Sequence, residues 1–175
     1  ILHVTKKYPN ALGGDAIVVQ NLEKQQTKNG HEVFILTTNC DDIINKDNLI
    51  KFGLKDTPAN LDKITFKRIL SLISLRFKIS RVLRKIKPDV VHSHSVDLGY
   101  IISRSCRKEN IPIIETCHGV SFNDSRYSLF KRKLEKYLLR NSNFKKIITV
   151  DSNSLNDFKK ENIENAIYIP NGVNI

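Results

Sequence analysis

Two adjacent glycines, Gly13 and Gly14, stand between an apolar stretch, Ile1-Leu2-His3-Val4-Thr5, and a segment from Asp15 to Gly30 with Ala16, Val19 and Leu22 at helical spacing. A strand–Gly-Gly–helix junction lets a ligand approach the backbone, because no side chain stands in the way. The helix behind it offers unpaired N–H groups and the positive end of its dipole, a combination suited to phosphate. The same pair also suits a tight turn that needs glycine only for its dihedrals, and local sequence leaves both readings open. A second group is imidazole. His92 and His94 are two apart in an apolar run, so they point to one face of a strand. His118 and Gly119 follow another apolar run, which ends at Cys117. His92, His94 and His118 could together meet a metal, but no carboxylate or cysteine completes the set, and no metal is expected.

These residues need a scaffold that brings strand ends together. Strands are expected over 1–5, 33–37, 89–94, 111–117, 146–150 and 166–169. Helices are expected over 15–30, 66–87, 97–109, 126–141 and from a cap at Ser152 or Ser154 to about Glu161. Gly30 closes the first helix and Pro88 stops the second. Residues 41–62 lack periodicity and read as loop, with one short strand or turn. Short apolar strands alternating with helices indicate an α/β, Rossmann-like, doubly wound and mainly parallel sheet with helices on both faces. Ligands gather at the carboxyl ends of such strands. Gly13-Gly14, His94 and His118-Gly119 all fall on that edge.

The 175 residues, 40% hydrophobic, suit one globular domain or one lobe of a larger protein. No apolar run reaches membrane-spanning length. There is no methionine, so the sequence reads as part of a longer chain. No secretory signal opens it, and Cys40, Cys106 and Cys117, odd in number and without metal-type spacing, fit thiols of a reducing cytoplasm. Cys117 reads as a small buried residue. Net charge is +11, concentrated in two places. Residues 66–87 hold eight Lys or Arg and no acid; residues 126–146 hold eight against Glu135 alone. In the first, Phe66, Ile69, Leu70, Ile73, Phe77, Leu83 and Ile86 form an apolar stripe, and Arg76, Lys78, Arg81, Arg84 and Lys85 belong to the basic face. That face is either solvated or in contact with an anionic membrane or acceptor.

Pro9, Gly13-Gly14, the helix ending Lys28-Asn29-Gly30-His31-Glu32-Val33, Lys87-Pro88-Asp89-Val90-Val91-His92-Ser93-His94, His118-Gly119 and Ile169-Pro170-Asn171-Gly172-Val173-Asn174 together, in order and spacing, resemble the amino-terminal half of glycosyltransferase family 4. The resemblance spans essentially the whole sequence. It implies a GT-B enzyme with two Rossmann-like lobes and the active site between them. These residues would be the acceptor-side lobe, with the linker beginning near 170–175. The other lobe would hold the sugar nucleotide and supply two glutamates seven residues apart. The implied reaction is retaining transfer of a sugar from a nucleotide-sugar donor to a lipid-linked, saccharide or other hydroxyl acceptor. No cofactor beyond the donor is implied, the lobe alone would be inactive, and the location would be cytoplasmic, on the inner face of the cell membrane.

By the same resemblance, Gly13 and Gly14 allow close approach of the donor diphosphate. His118 and Gly119 place an imidazole and a backbone carbonyl beneath the transferred sugar, where oriented dipoles stabilise an oxocarbenium-like transition state. Asp15 stands where the family often has a small residue followed by Glu; it caps the helix or contacts an acceptor hydroxyl. His94 lines the acceptor cleft. Other classes fit less well. A nicotinamide oxidoreductase would want GxGxxG, which Pro9-Asn10-Ala11-Leu12-Gly13-Gly14 does not supply. A nucleic-acid binder would want a stacking platform, whereas the aromatics here fall mostly at core spacing, and no nucleic-acid partner is expected. A sugar-nucleotide epimerase of the same fold would differ only in the other lobe.

Overall fold

The computed structural model describes residues 1–8, 14–39, 47–52 and 66–172, with the backbone alone for 66–74. Within these the chain forms β1 (Leu2–Lys7), α1 (Gly14–Lys28), β2 (Phe34–Asn39), β3 (Leu49–Lys51), α2 (Phe66–Ile86), β4 (Val91–Ser93), α3 (Val96–Lys108), β5 (Ile113–Cys117), α4 (Leu129–Arg140), β6 (Lys146–Thr149), α5 (Ser152–Lys160) and β7 (Ala166–Tyr168). The seven strands make one sheet in the order β3-β2-β1-β4-β5-β6-β7. Every pair is parallel. The expected Rossmann-like α/β architecture is therefore present. The strand expected at 166–169 is the seventh, because the stretch read mainly as loop contributes β3.

Helices cover the two faces unequally. Leu75, Ile79 and Leu83 of α2, Leu98, Ile102 and Cys106 of α3, Leu139 of α4 and Phe158 of α5 share one core with Leu2, Val4, Val91, Ile113 and Ile147 of the sheet. On the opposite face Val19 of α1 packs with Tyr8, Val33 and Ile35 in a smaller core. Phe77, placed by spacing in the apolar stripe, is instead 73% exposed; Leu75, Ile79 and Leu83 carry the buried face of α2.

Local chemistry fixes the ends of the elements. Gly30 has φ +86°, and the bonds Gly30 N–H to Thr27 O and His31 N–H to Gln26 O, both 3.0 Å, close α1 in a Schellman turn. Helix α5 is capped by Asp151, whose carboxylate accepts from Ser154 N–H at 2.9 Å, and not by Ser152 or Ser154. Ser128 caps α4, so that helix starts at Leu129 and not near 126. Gly99 has a different duty. A Cβ there would run into the Glu115 carboxyl and lie 2.7 Å from Ser93 Oγ, so glycine at that point lets α3 approach the sheet without displacing either side chain.

Candidate active-site cleft

Strand order reverses direction between β1 and β4, and a ligand crevice is expected beyond the carboxyl ends of such strands. An open cleft of about 640 Å3 lies there, and Gly14, Asp15, His94, His118, Gly119 and Asn171 all reach its wall. Segments far apart in the chain are thus gathered at one sheet edge. Gly13 lies outside the described residues, as do Cys40, Pro9 and Val173.

Gly14 opens α1. Among the described glycines only Gly30 and Gly119 have positive φ, and a Cβ on Gly14 would meet nothing within 4 Å. Among the described residues, then, neither backbone dihedral nor packing requires glycine at this position; what it leaves is space above a helix N-terminus. Asp15 is the second residue of α1, inside the first turn, so the cap reading does not hold. It lies at the cleft, and its charge acts on His118.

His118 and Gly119 follow β5 on a loop pinned from behind. Glu135 of α4 accepts from Ser121 N–H and Oγ–H, each at 2.6 Å, and Arg132 Nε donates to Phe122 O at 3.0 Å. Phe122 is buried and meets Phe158 edge-on. Gly119, with φ 159°, is close to extended and has open space where a Cβ would be.

The imidazoles form an array that includes one ring not singled out from sequence. His3 of β1 lies opposite His92 of β4 in the register. His3 Nε2 is 2.7 Å from Gln26 Oε1, His3 Nδ1 is 3.0 Å from His94 Nε2, and His94 Nδ1 is 3.3 Å from His118 Nε2. His92 lies tilted beside them, 4.2 Å from His94 by ring centroids, with Nε2 2.7 Å from Thr116 Oγ1. The ring nitrogens that converge within 4.8 Å are those of His3, His92 and His94, not the set with His118. Both nitrogens of His3 and both of His94 already have hydrogen-bonding partners, so the array is a hydrogen-bonded unit. Only His118 is substantially open to the cleft; His94 is 6% exposed and stands behind it.

Burial lowers all four titrations. It takes His92 down to about 3 and His94 well below the ordinary value, with the neighbouring imidazoles adding to the effect. His3 is lowered by burial, partly offset by its bond to Gln26, and His118 is lowered by burial, partly offset by Asp15. The array is neutral at pH 7. Across the cleft, burial alone would raise Asp97, but Lys6 Nζ at 2.6 Å, with Ser95 and the Leu98 N–H, holds it below the usual range. Glu115, fully buried, is pushed well above that range by desolvation and is a neutral acid; its carboxyl oxygens have no hydrogen-bond partner among the described residues, and Ser93 Oγ donates to Ser95 O.

The basic segments are not equally free. Glu161, from outside the second segment, pairs with Lys136 at 2.7 Å and Arg140 at 3.0 Å, and Asp124 pairs with Arg126 at 2.7 Å. In α2, Arg84 pairs with Glu109 at 3.0 Å, while Arg76, Lys78, Arg81 and Lys85 are exposed. Several aromatics also depart from the core placement expected of them: Tyr127, Phe130 and Tyr137, like Phe77, are exposed.

The sequence profile of Glycosyltransferase Family 4 matches residues 12–175. The chain belongs to this family. Among curated proteins no sequence match is found. Of solved structures, sucrose-phosphate synthase from Thermosynechococcus elongatus superposes with a TM-score of 0.74 at 16% identity, covering 99% of this chain and 48% of that one. HepE from Anabaena, in complex with UDP and glucose, gives 0.68 at 10% identity, over 99% and 44%. MurG from Acinetobacter baumannii gives 0.60 at 13%, over 99% and 46%. At these identities the likeness establishes the GT-B-type fold. The family 4 chain described here spans less than half the length of each.

Proposed function

We propose that this family 4 domain is the acceptor-side lobe of a retaining glycosyltransferase that moves a sugar from a nucleotide-sugar donor to a hydroxyl acceptor. The observation that carries the reading is the open space over Gly14, facing His118 and Gly119 across one cleft. Helix α1 directs its first N–H groups and dipole into that space, which suits the donor diphosphate. His118 and the backbone at Gly119 lie where dipoles could stabilise positive charge developing on the sugar. Asp15 is placed to accept from an acceptor hydroxyl. HepE, of similar fold, has also been captured with UDP-glucose, which favours a uridine nucleotide among donors to try first.

The catalytic unit in this reading requires a second lobe carrying the nucleotide site. The full-length protein should release nucleotide from one member of a panel of nucleotide sugars when offered saccharide or lipid-linked acceptors, with the anomeric configuration retained. The 175 residues alone should not. Inversion at the anomeric carbon would reject the mechanism, and transfer by this domain alone would reject the two-lobe assignment.

The acceptor is proposed to lie at an anionic membrane. Support comes from the exposed Arg76, Lys78, Arg81 and Lys85 on α2, and from Leu129 and Phe130, 69% and 54% exposed, beside Tyr127 and Lys131 at the cleft wall. Each Lys or Arg near such a surface contributes about 1 kcal/mol, within a Debye length. Full-length protein should sediment with phosphatidylserine vesicles at low salt and release at high salt. Exchanging those four α2 cations for Gln should weaken sedimentation without lowering thermal stability. No preference for anionic over neutral vesicles at low salt would mean the basic face is simply solvated.

A further inference from the structure

A neutral imidazole has one N–H donor and one bare acceptor nitrogen. Rings bonded in series therefore share one polarity: if the first donates outward, each next ring must donate toward it. His3, His94 and His118 form such a series, with contacts of 3.0 Å and 3.3 Å, and Gln26 Oε1 stands at its far end, 2.7 Å from His3 Nε2. An amide oxygen only accepts, so His3 carries its proton on Nε2 and its Nδ1 is bare. His94 must then donate from Nε2 and accept at Nδ1, and His118 must donate from Nε2. Gln26 is held in position by the last turn of α1, where its own carbonyl takes the His31 N–H at 3.0 Å in the Gly30 turn. His92 stands outside the series, engaged with Thr116.

We propose that Gln26 is a positioning residue for His118: through His3 and His94 it fixes the proton of His118 on Nε2 and leaves Nδ1 bare for the cleft. A bare ring nitrogen accepts from a hydroxyl and repels a phosphate oxygen. His118 would thus read a sugar hydroxyl and leave the diphosphate to α1. This consequence for substrate rests on the transferase reading, whereas the proton position does not. The charged groups that act on the series are Asp15 at His118 and, at His3, the amino terminus and Glu23.

The test is a long-range 1H–15N correlation spectrum of the full-length protein with 15N-labelled histidine, in which protonated and bare ring nitrogens are resolved. His118 should show protonated Nε2 and bare Nδ1 without any substrate. Gln26→Leu, which has no polar end, should give a mixture of His118 tautomers. Gln26→Lys, which can only donate, should invert the series and put the proton on Nδ1. Because Gln26 is half-exposed on a helix, both variants should fold. A wild-type His118 with bare Nε2, or a His118 pattern unmoved in both variants, would overturn the proposal. Absence of transfer from every donor would instead sink the transferase reading and leave the tautomer assignment standing.

Discussion

Full-length protein carrying Gly14→Val should fold as wild type and, on the proposed transferase reading, lose at least about a hundredfold in transfer rate, the scale on which an ångström of substrate misplacement acts. The fold should survive because a Cβ at Gly14 meets nothing within 4 Å and the residue is helical, without a positive φ. Valine is not worse than glycine in a helix, so stability should change by less than about 1 kcal/mol. The branched side chain would occupy the one space that both the helix N-terminus and His118 face. Kinetics with the best donor, alongside a thermal melt, decide the matter. A folded variant with wild-type turnover would return the glycine loop to the role of a simple turn.

His118→Ala should lower kcat by about a hundredfold, a larger effect than its weakening of donor binding. That is the usual cost of removing one oriented dipole from a charged transition state. An interaction made mainly in the transition state lowers kcat, whereas uniform binding raises KM alone. The variant also strips His94 Nδ1 of its partner, so His118→Gln, whose amide N–H can still reach that nitrogen, is the control for stability. If the only change is in KM, His118 binds and does not assist the chemical step.

Much of the fold was legible because its signals are local. Apolar runs of strand length, Gly30 at a helix end and Pro88 after another each act within a few residues, and the elements they mark are present. The ends were less legible where neighbouring polar residues compete for the same role. Asp151, Ser152 and Ser154 can each cap a helix by type, and only backbone geometry selects Asp151. The strand ends carrying Gly14, His94 and His118 were brought to one edge by parallel topology, as expected. His3 was missed because its partnership is across the sheet: nothing within β1 says that residue 3 faces residue 92 until the register is known. Glu135 looked like a lone acid in a basic helix, yet it pins the His118 loop from 14 residues away. Counting charges along the chain likewise overstated the second basic segment, since Glu161 reaches back to it in space.

The neutral array has a consequence far from sugar transfer. His3, His92, His94 and His118 all titrate below 6.5 in the folded chain, His92 at about 3, mainly because burial opposes their charge. Unfolded, each would take up a proton near pH ~6.5. Their contribution to stability is therefore fully present above that pH and is lost as the pH falls toward the folded values. Glu115, neutral when folded, works in the opposite direction, but it is one carboxyl against four imidazoles. The melting temperature should thus fall between about pH 7 and pH 5, and a flat profile would contradict a neutral array. Below pH ~6.5, hydrogen ion becomes a ligand that binds the unfolded chain in preference to the folded one.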